Sequence, residues 1–304
     1  MSLFLQSTYL SAALSLVYIY LLYRSHPFRR IPSGPTLLAF AVGMVAVVPV
    51  VAFRRVVPLG PIESSVWILI LAAAIEEGAK LLVALATIWR YRFPNVVEPL
   101  DFAIYFGVLG VGFGIYEDFW YIFSATYTSW IAGDIGRFNE VFRGIALARA
   151  FPGHILFNGI AGFLLGYAFF ANGARRRGWI LGGLSLAILL HVGFNWIATV
   201  GETPLLITYI VLLVGVFLGL RRREMGRSPF AALIRYTERG ESGWRFDRAP
   251  IAYLFADGFD WPGKRRGGFF QFYPVAFSLC VLFPLLLIGV YFVNRALLLI
   301  GGGS

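Results

Sequence analysis

Apolar runs long enough to cross a bilayer recur along the chain, near residues 5–23, 36–53, 64–89, 100–125, 148–172, 178–199, 204–220 and 272–294. A bilayer core takes roughly 20 residues of helix to cross, and backbone groups facing lipid must be hydrogen-bonded within their own segment. The runs predict an all-α, polytopic membrane protein of about eight transmembrane helices. Composition agrees, with 59% apolar and only 14% charged residues, against about 25% charged in soluble domains. The first run has no basic stretch ahead of it and no small-residue cleavage site, so it reads as a retained span. The single cysteine, Cys280, falls in the last run and excludes an intrachain disulfide framework.

Basic residues set the expected orientation, because cytoplasmic loops keep an excess of Lys and Arg. With the N-terminus outside, inner segments hold 19 of the 26 basic residues and outer segments hold 6, Lys80 lying within a span. The expectation is N-out and C-out, in the prokaryotic cytoplasmic membrane. The net charge of +10 then reflects inner-face bias and contact with anionic lipids, and it needs no nucleic-acid partner. The organisation expected is two N-terminal helices over 1–63, a four-helix core over 64–200, and two C-terminal helices over 201–300. Residues 221–271 form a basic, aromatic inner-face segment, and residues 126–147 an outer loop with room for a helix lying on the surface. The terminal Gly-Gly-Gly-Ser at 301–304 resembles an appended linker.

Polar residues within the spans gather on four consecutive helices. The third span carries Glu76, Glu77 and Lys80, the fourth Asp101, Glu117 and Asp118, the fifth His154 and Asn158, and the sixth His191 and Asn195. An ionised carboxylate in hydrocarbon costs at least about 2.5 kcal/mol, so adjacent acids in a span need protein, water or metal around them. Lys80 is i+4 from Glu76 and i+3 from Glu77, within reach of an intrahelical ion pair. It balances one acid and leaves the other for different work. His154-Ile-Leu-Phe-Asn158 and His191-Val-Gly-Phe-Asn195 each place an asparagine one turn after a histidine on the same face. With about 1.5 Å of rise per residue, Glu76 and Glu77 fall near the midplane and Glu117, His154 and His191 slightly outward. Gly110, Gly112 and Gly114 on the fourth span, and Gly162 and Gly166 on the fifth, provide close helix approach. Asp101 reads as a helix cap, Asp118 as an interfacial residue, and His26 as a solvated loop residue.

Two imidazoles and one carboxylate form the His2Glu set that holds a catalytic zinc with an open position. A further carboxylate would serve as general base on water attacking a peptide carbonyl. A metal-free version, with glutamate as base and His or Asn donors on the oxyanion, uses the same residues.

The run Glu76-Glu77-Gly-Ala-Lys80, the segment ending in Glu117, the Phe-Pro-Gly-His around His154 and the His-Val-Gly-Phe-Asn around His191 resemble the PrsW family of intramembrane proteases. That family is similar in turn to the CAAX prenyl protease and bacteriocin-processing group, whose motifs run in the same order. Lysine at i+4 in place of arginine at i+5, and one residue fewer before His154, place the chain nearer PrsW. The resemblance covers roughly residues 65–200. It implies site-1-type cleavage of a membrane-anchored, single-span substrate, such as an anti-sigma factor, on the extracytoplasmic side. Carried over by motif, Glu76 and Glu77 supply the base or a ligand, Glu117 a second acid, and His154 and His191 ligands or oxyanion donors. Asn195 supports His191. The expected metal ligands are His154, His191, Glu77 and Glu117, with zinc as the ion; Lys80 is a supporting residue within the first motif, while Asn158 comes from spacing alone.

No H-E-x-x-H, G-x-S-x-G or G-x-G-D motif occurs in the chain, which argues against the other metal, serine and aspartyl signatures. The same acids and histidines would also suit a proton relay in a transporter or channel. Transporters of that kind often repeat in halves, and the only such echo here is the pair of H-x-x-x-N runs. A non-catalytic scaffold that binds membrane helices is the third reading.

Overall fold

A computed structural model describes residues 3–26, 31–56, 65–89, 96–149, 153–200 and 203–228. Among them all regular structure is helical: α1 (Leu3–Tyr23), α2 (Ser33–Val45), α3 (Val47–Val56), α4 (Val66–Ala84), α5 (Pro99–Ile131), α6 (Ile135–Arg149), α7 (Gly153–Phe170), α8 (Gly173–Val200) and α9 (Thr203–Arg227). Six segments among the described residues are long and apolar enough to cross a membrane, with α2 and α3 forming one of them. α4 carries Glu76, Glu77 and Lys80 in its 19 residues, and those charges set it apart from the six. The eighth expected span at 272–294, Cys280, residues 229–271 and the terminal linker lie outside the described residues.

Helix boundaries follow local chemistry rather than hydropathy. Ser65 begins α4 by accepting from the backbone N–H of Ile68 at 3.3 Å, an N-cap that satisfies one of the donors left over at a helix start. Pro99 opens α5 at the first helical position, where no N–H is needed. Asp101 reaches back to accept from Val97 and Glu98 at 2.9 and 3.0 Å, so the capping expected of it is present. The expected span over 36–53 is divided at Ala46, because Pro49 in the first turn of α3 cannot donate to the carbonyl one turn before it. α4 ends in a π-helical turn over Leu85–Trp89.

The described chain divides into two compact units. The first comprises residues 3–17 and 115–149. Its aromatic side chains form a ladder along α5, with Phe119 stacked on Phe123 at 5.6 Å and Tyr127 tilted against Phe123 at the same separation. Phe4 packs edge-on to Phe119. The outer loop expected from 126 is helical to Ile131, since no breaker occurs before Ala132-Gly133-Asp134. There Gly133 takes φ +68°, a conformation that suits glycine. Asp134 then caps α6 through the N–H of Arg137 at 3.0 Å.

The second unit holds residues 18–114 and the described residues of 153–228, and here α5 runs between α2 and α7 at backbone distance. A Cβ added to Gly112 would strike the carbonyl of Phe40 on α2, and one added to Gly43 would strike that of Leu109. On the other flank, a Cβ on Gly162 would stand 2.7 Å from the Cα of Ala103, and one on Gly166 the same distance from Pro99. Hydrophobicity gives no drive for helix association in lipid, so close packing over small residues holds these helices together. α8 packs against α4 and α7, and α9 against α7 and α8. The three arginines expected in a loop before the sixth span instead form the first turns of α8. Arg176 returns to the carbonyl of Ala171 at 2.8 Å.

Candidate functional site

On α4 the residues Leu69, Ala72, Ala73, Glu76, Glu77, Lys80 and Ala84 are all buried. That stripe follows helical spacing, and it carries the charged residues into the protein interior rather than toward lipid. Glu76 is 3% exposed, and Glu77 and Lys80 are 0% exposed. Burial this complete is tolerated only when the charges meet partners. Lys80 Nζ lies 2.6 Å from Glu77 Oε1 and 4.1 Å from the centroid of Phe113, a cation-π contact. The acid balanced by the lysine is therefore Glu77.

The histidines arrive from α7 and α8. An ammonium group can only donate, so Lys80 Nζ, 3.0 Å away, donates to Nδ1 of His154. His191 sits between the two glutamates, with Nδ1 2.8 Å from Glu77 Oε1 and Nε2 3.8 Å from Glu76 Oε2. The two imidazoles meet edge to face with centroids 4.9 Å apart. Phe157 stacks on His191 at 5.3 Å, and Phe113 abuts His154 at 5.2 Å. The site thus has aromatic walls. Glu77 and His191 are buried, while the side chain of His154 keeps a 10% exposed edge.

One ligand atom each from Glu76, His154 and His191 lie within 4.8 Å of one another. This is a two-imidazole, one-carboxylate donor set, the kind that suits a catalytic zinc. Glu77 stands behind His191, the position from which a carboxylate can orient an imidazole that binds a metal. The donors present therefore fit a metal ion. The converging carboxylate is Glu76, where sequence reasoning placed Glu77 and Glu117. Glu117 and Asp118 belong to the first compact unit.

Asn158 is fully buried one turn after His154. Neither of its amide atoms has a hydrogen-bond partner among the described residues. A Cβ on Gly110 would meet its Nδ2 at 2.7 Å and the carbonyl of His154 at 2.6 Å, so glycine at 110 is what lets α5 lie against this stretch of α7. Asn195 follows His191 by a turn, and its carbonyl accepts from Thr199 at 2.8 Å.

Sequence reasoning missed three contributors. Phe113 and Phe157 line the site, but 29 phenylalanines in the chain hide any two of them. Tyr209 on α9 donates to the carbonyl of Leu190 at 2.8 Å, fixing α8 next to His191, and a tyrosine within an apolar span was the available signal. Away from this site, His26 is not solvated as expected. It is 6% exposed and 2.5 Å from Glu98, because α1 ends against the first turn of α5.

The chain is similar to Protease PrsW of Clostridioides difficile (strain 630), with 28% identity over 163 residues, 52% of this chain and 64% of that protein. The chain thus covers slightly less than two thirds of that relative's length. No solved structure matches it. The model of the PrsW family of intramembrane metalloproteases matches residues 32–220, which spans α2 to α9 and every residue of the Glu76, His154 and His191 trio. With well over half of its length matched, this chain belongs to the PrsW family of intramembrane metalloproteases.

Proposed function

We propose that this protein is an intramembrane endopeptidase that hydrolyses a peptide bond of a membrane-anchored, single-span protein near its extracytoplasmic side. The observation that carries the reading is the convergence of Glu76, His154 and His191 from three different helices onto one point. An N-out, C-out arrangement of eight spans and an anti-sigma-factor-like substrate belong to the same proposal.

Glu76, His154 and His191 would hold a zinc ion, which when bound supplies a Lewis acid for the scissile carbonyl. Glu77 orients His191 through Nδ1, leaving Nε2 turned toward Glu76. Its second oxygen, Oε2, is buried without a hydrogen-bond partner among the described residues. In this reading that oxygen would take the proton from the attacking water. Lys80 balances the charge of Glu77; a neutral His154 that accepts from Lys80 at Nδ1 carries its proton on Nε2, so Nδ1 is the lone pair that would take the ion, and Lys80 would then release it. The Asn158 amide, one turn from His154, is a donor for the substrate backbone.

The test is cleavage of a single-span substrate by purified protein in liposomes, before and after chelation and on restoring zinc. Activity should vanish on chelation, return with zinc, and be absent in Glu76→Ala, His154→Ala and His191→Ala variants that remain folded. Full cleavage in all three variants would sink the proposal. Proton-driven uptake without proteolysis would replace it with a transporter.

A further inference from the structure

A second convergence of metal-ligating side chains lies at the other end of α5's buried stretch. His26, just past α1, and Glu98 and Asp101, at the start of α5, bring one ligand atom each within 4.8 Å of one another. All three are buried, at 6, 5 and 0% exposure. The same ring nitrogen, His26 Nε2, faces both acids, 2.5 Å from Glu98 Oε1 and 3.5 Å from Asp101 Oδ1. A single N–H satisfies one acceptor well, whereas a metal ion satisfies several converging lone pairs. Asp101 is also oriented in advance: its Oδ2 accepts the backbone N–H groups of Val97 and Glu98, and this turns Oδ1 toward the histidine. Such anchoring of a ligand's far atom is what supports metal coordination elsewhere.

We infer that His26, Glu98 and Asp101 form a second divalent-cation site that clamps the end of α1 to the start of α5. One imidazole and two carboxylates suit zinc, while Mg2+ and Ca2+ prefer oxygen donors alone. Bonds of about 2.1 Å in tetrahedral geometry set ligand atoms roughly 3.4 Å apart. The His26 to Asp101 separation of 3.5 Å already meets that spacing. The His26 to Glu98 pair widens on binding. Asp101 and Gly110 are separated by roughly 14 Å of helix, so this site is distinct from the trio around His191 and does not depend on the function proposed for it. Arg221 of α9 donates to the carbonyl of Ser25 at 2.6 Å, which brings a third helix to the clamp.

The experiment counts zinc in the purified full chain after chelator stripping, reloading with Zn2+ alone and dialysis. Wild type should retain two ions per chain, His26→Ala one, the His154→Ala/His191→Ala double variant one, and the triple variant none. Glu98→Gln keeps an acceptor for His26 and removes one charge, so it tests the site if His26→Ala fails to fold, and it too should drop to one ion. If both His26→Ala and Glu98→Gln hold as much zinc as wild type, the inference is overturned. It is equally overturned if wild type holds no zinc, or a single ion that disappears with His154 and His191. A single ion lost only with His26 supports the clamp and removes the metal from the function proposed above.

Discussion

Nδ1 of His191 lies 2.8 Å from Oε1 of Glu77, and that contact decides which edge of the imidazole is left for chemistry. With the proton on Nδ1 pointing at Glu77, the Nε2 lone pair is directed toward Glu76. Two consecutive glutamates thereby take different positions, one behind the histidine and one beside its other nitrogen.

Separate replacements should reveal that division. Glu76→Gln is expected to remove both zinc retention and cleavage, whereas Glu77→Gln should weaken zinc binding by about 10- to 100-fold, the usual effect of losing an orienting partner. Zinc titration of the two purified variants checks this. Equal affinity in both variants would show that the two carboxylates are not divided in this way.

Lys80 and Glu77 are both fully buried and 2.6 Å apart. Lys80→Met would leave a buried carboxylate without its cation, at a cost of about 3–5 kcal/mol. Adding Glu77→Gln should restore much of the thermal stability without restoring cleavage. Thermal unfolding of the single and double variants in detergent measures the recovery.

The glycine seams predict a contrast between neighbouring helices. Gly112→Ala drives its new methyl into the carbonyl of Phe40 and should destabilise by about 1–3 kcal/mol. Around Gly78 on α4 a Cβ meets nothing within 4 Å, so Gly78→Ala should leave the melting temperature unchanged or higher. Parallel melting curves decide it.

Tyr209→Phe removes the bond to the Leu190 carbonyl, worth about 0.5–1.5 kcal/mol. Because that bond positions α8 beside His191, cleavage should fall several-fold while zinc content stays at the wild-type level. A loss of stability with unchanged turnover would reduce Tyr209 to a packing role.

Membrane character was legible in the sequence, and carboxylates and histidines within apolar runs stood out against hydrocarbon on four helices, three of which, α4, α7 and α8, supply the buried trio. The pairing was not legible. Spacing alone put Lys80 within reach of both Glu76 and Glu77, and only the rotation of α4 against α7 and α8 selects Glu77. The clamp at His26 was hidden for a similar reason, since its partners lie 72 and 75 residues away and no local pattern links them. Hydropathy also missed the ends of α8 and α9: arginine ends a membrane run but remains a good helix former, so Arg175–Arg177 and Arg221–Arg223 are helical.

The contacts at Gly43, Gly112, Gly162 and Gly166 bear on how a substrate reaches the histidines. A helix delivered sideways from the bilayer must push neighbouring helices apart to get in. Separating α5 from α2 or α7 would open grooves floored by backbone, whose shape only those partners fill. If a membrane-anchored substrate enters from the side, these seams make α5 the costliest helix to displace, and a cross-link locking α2 to α5 should leave cleavage intact.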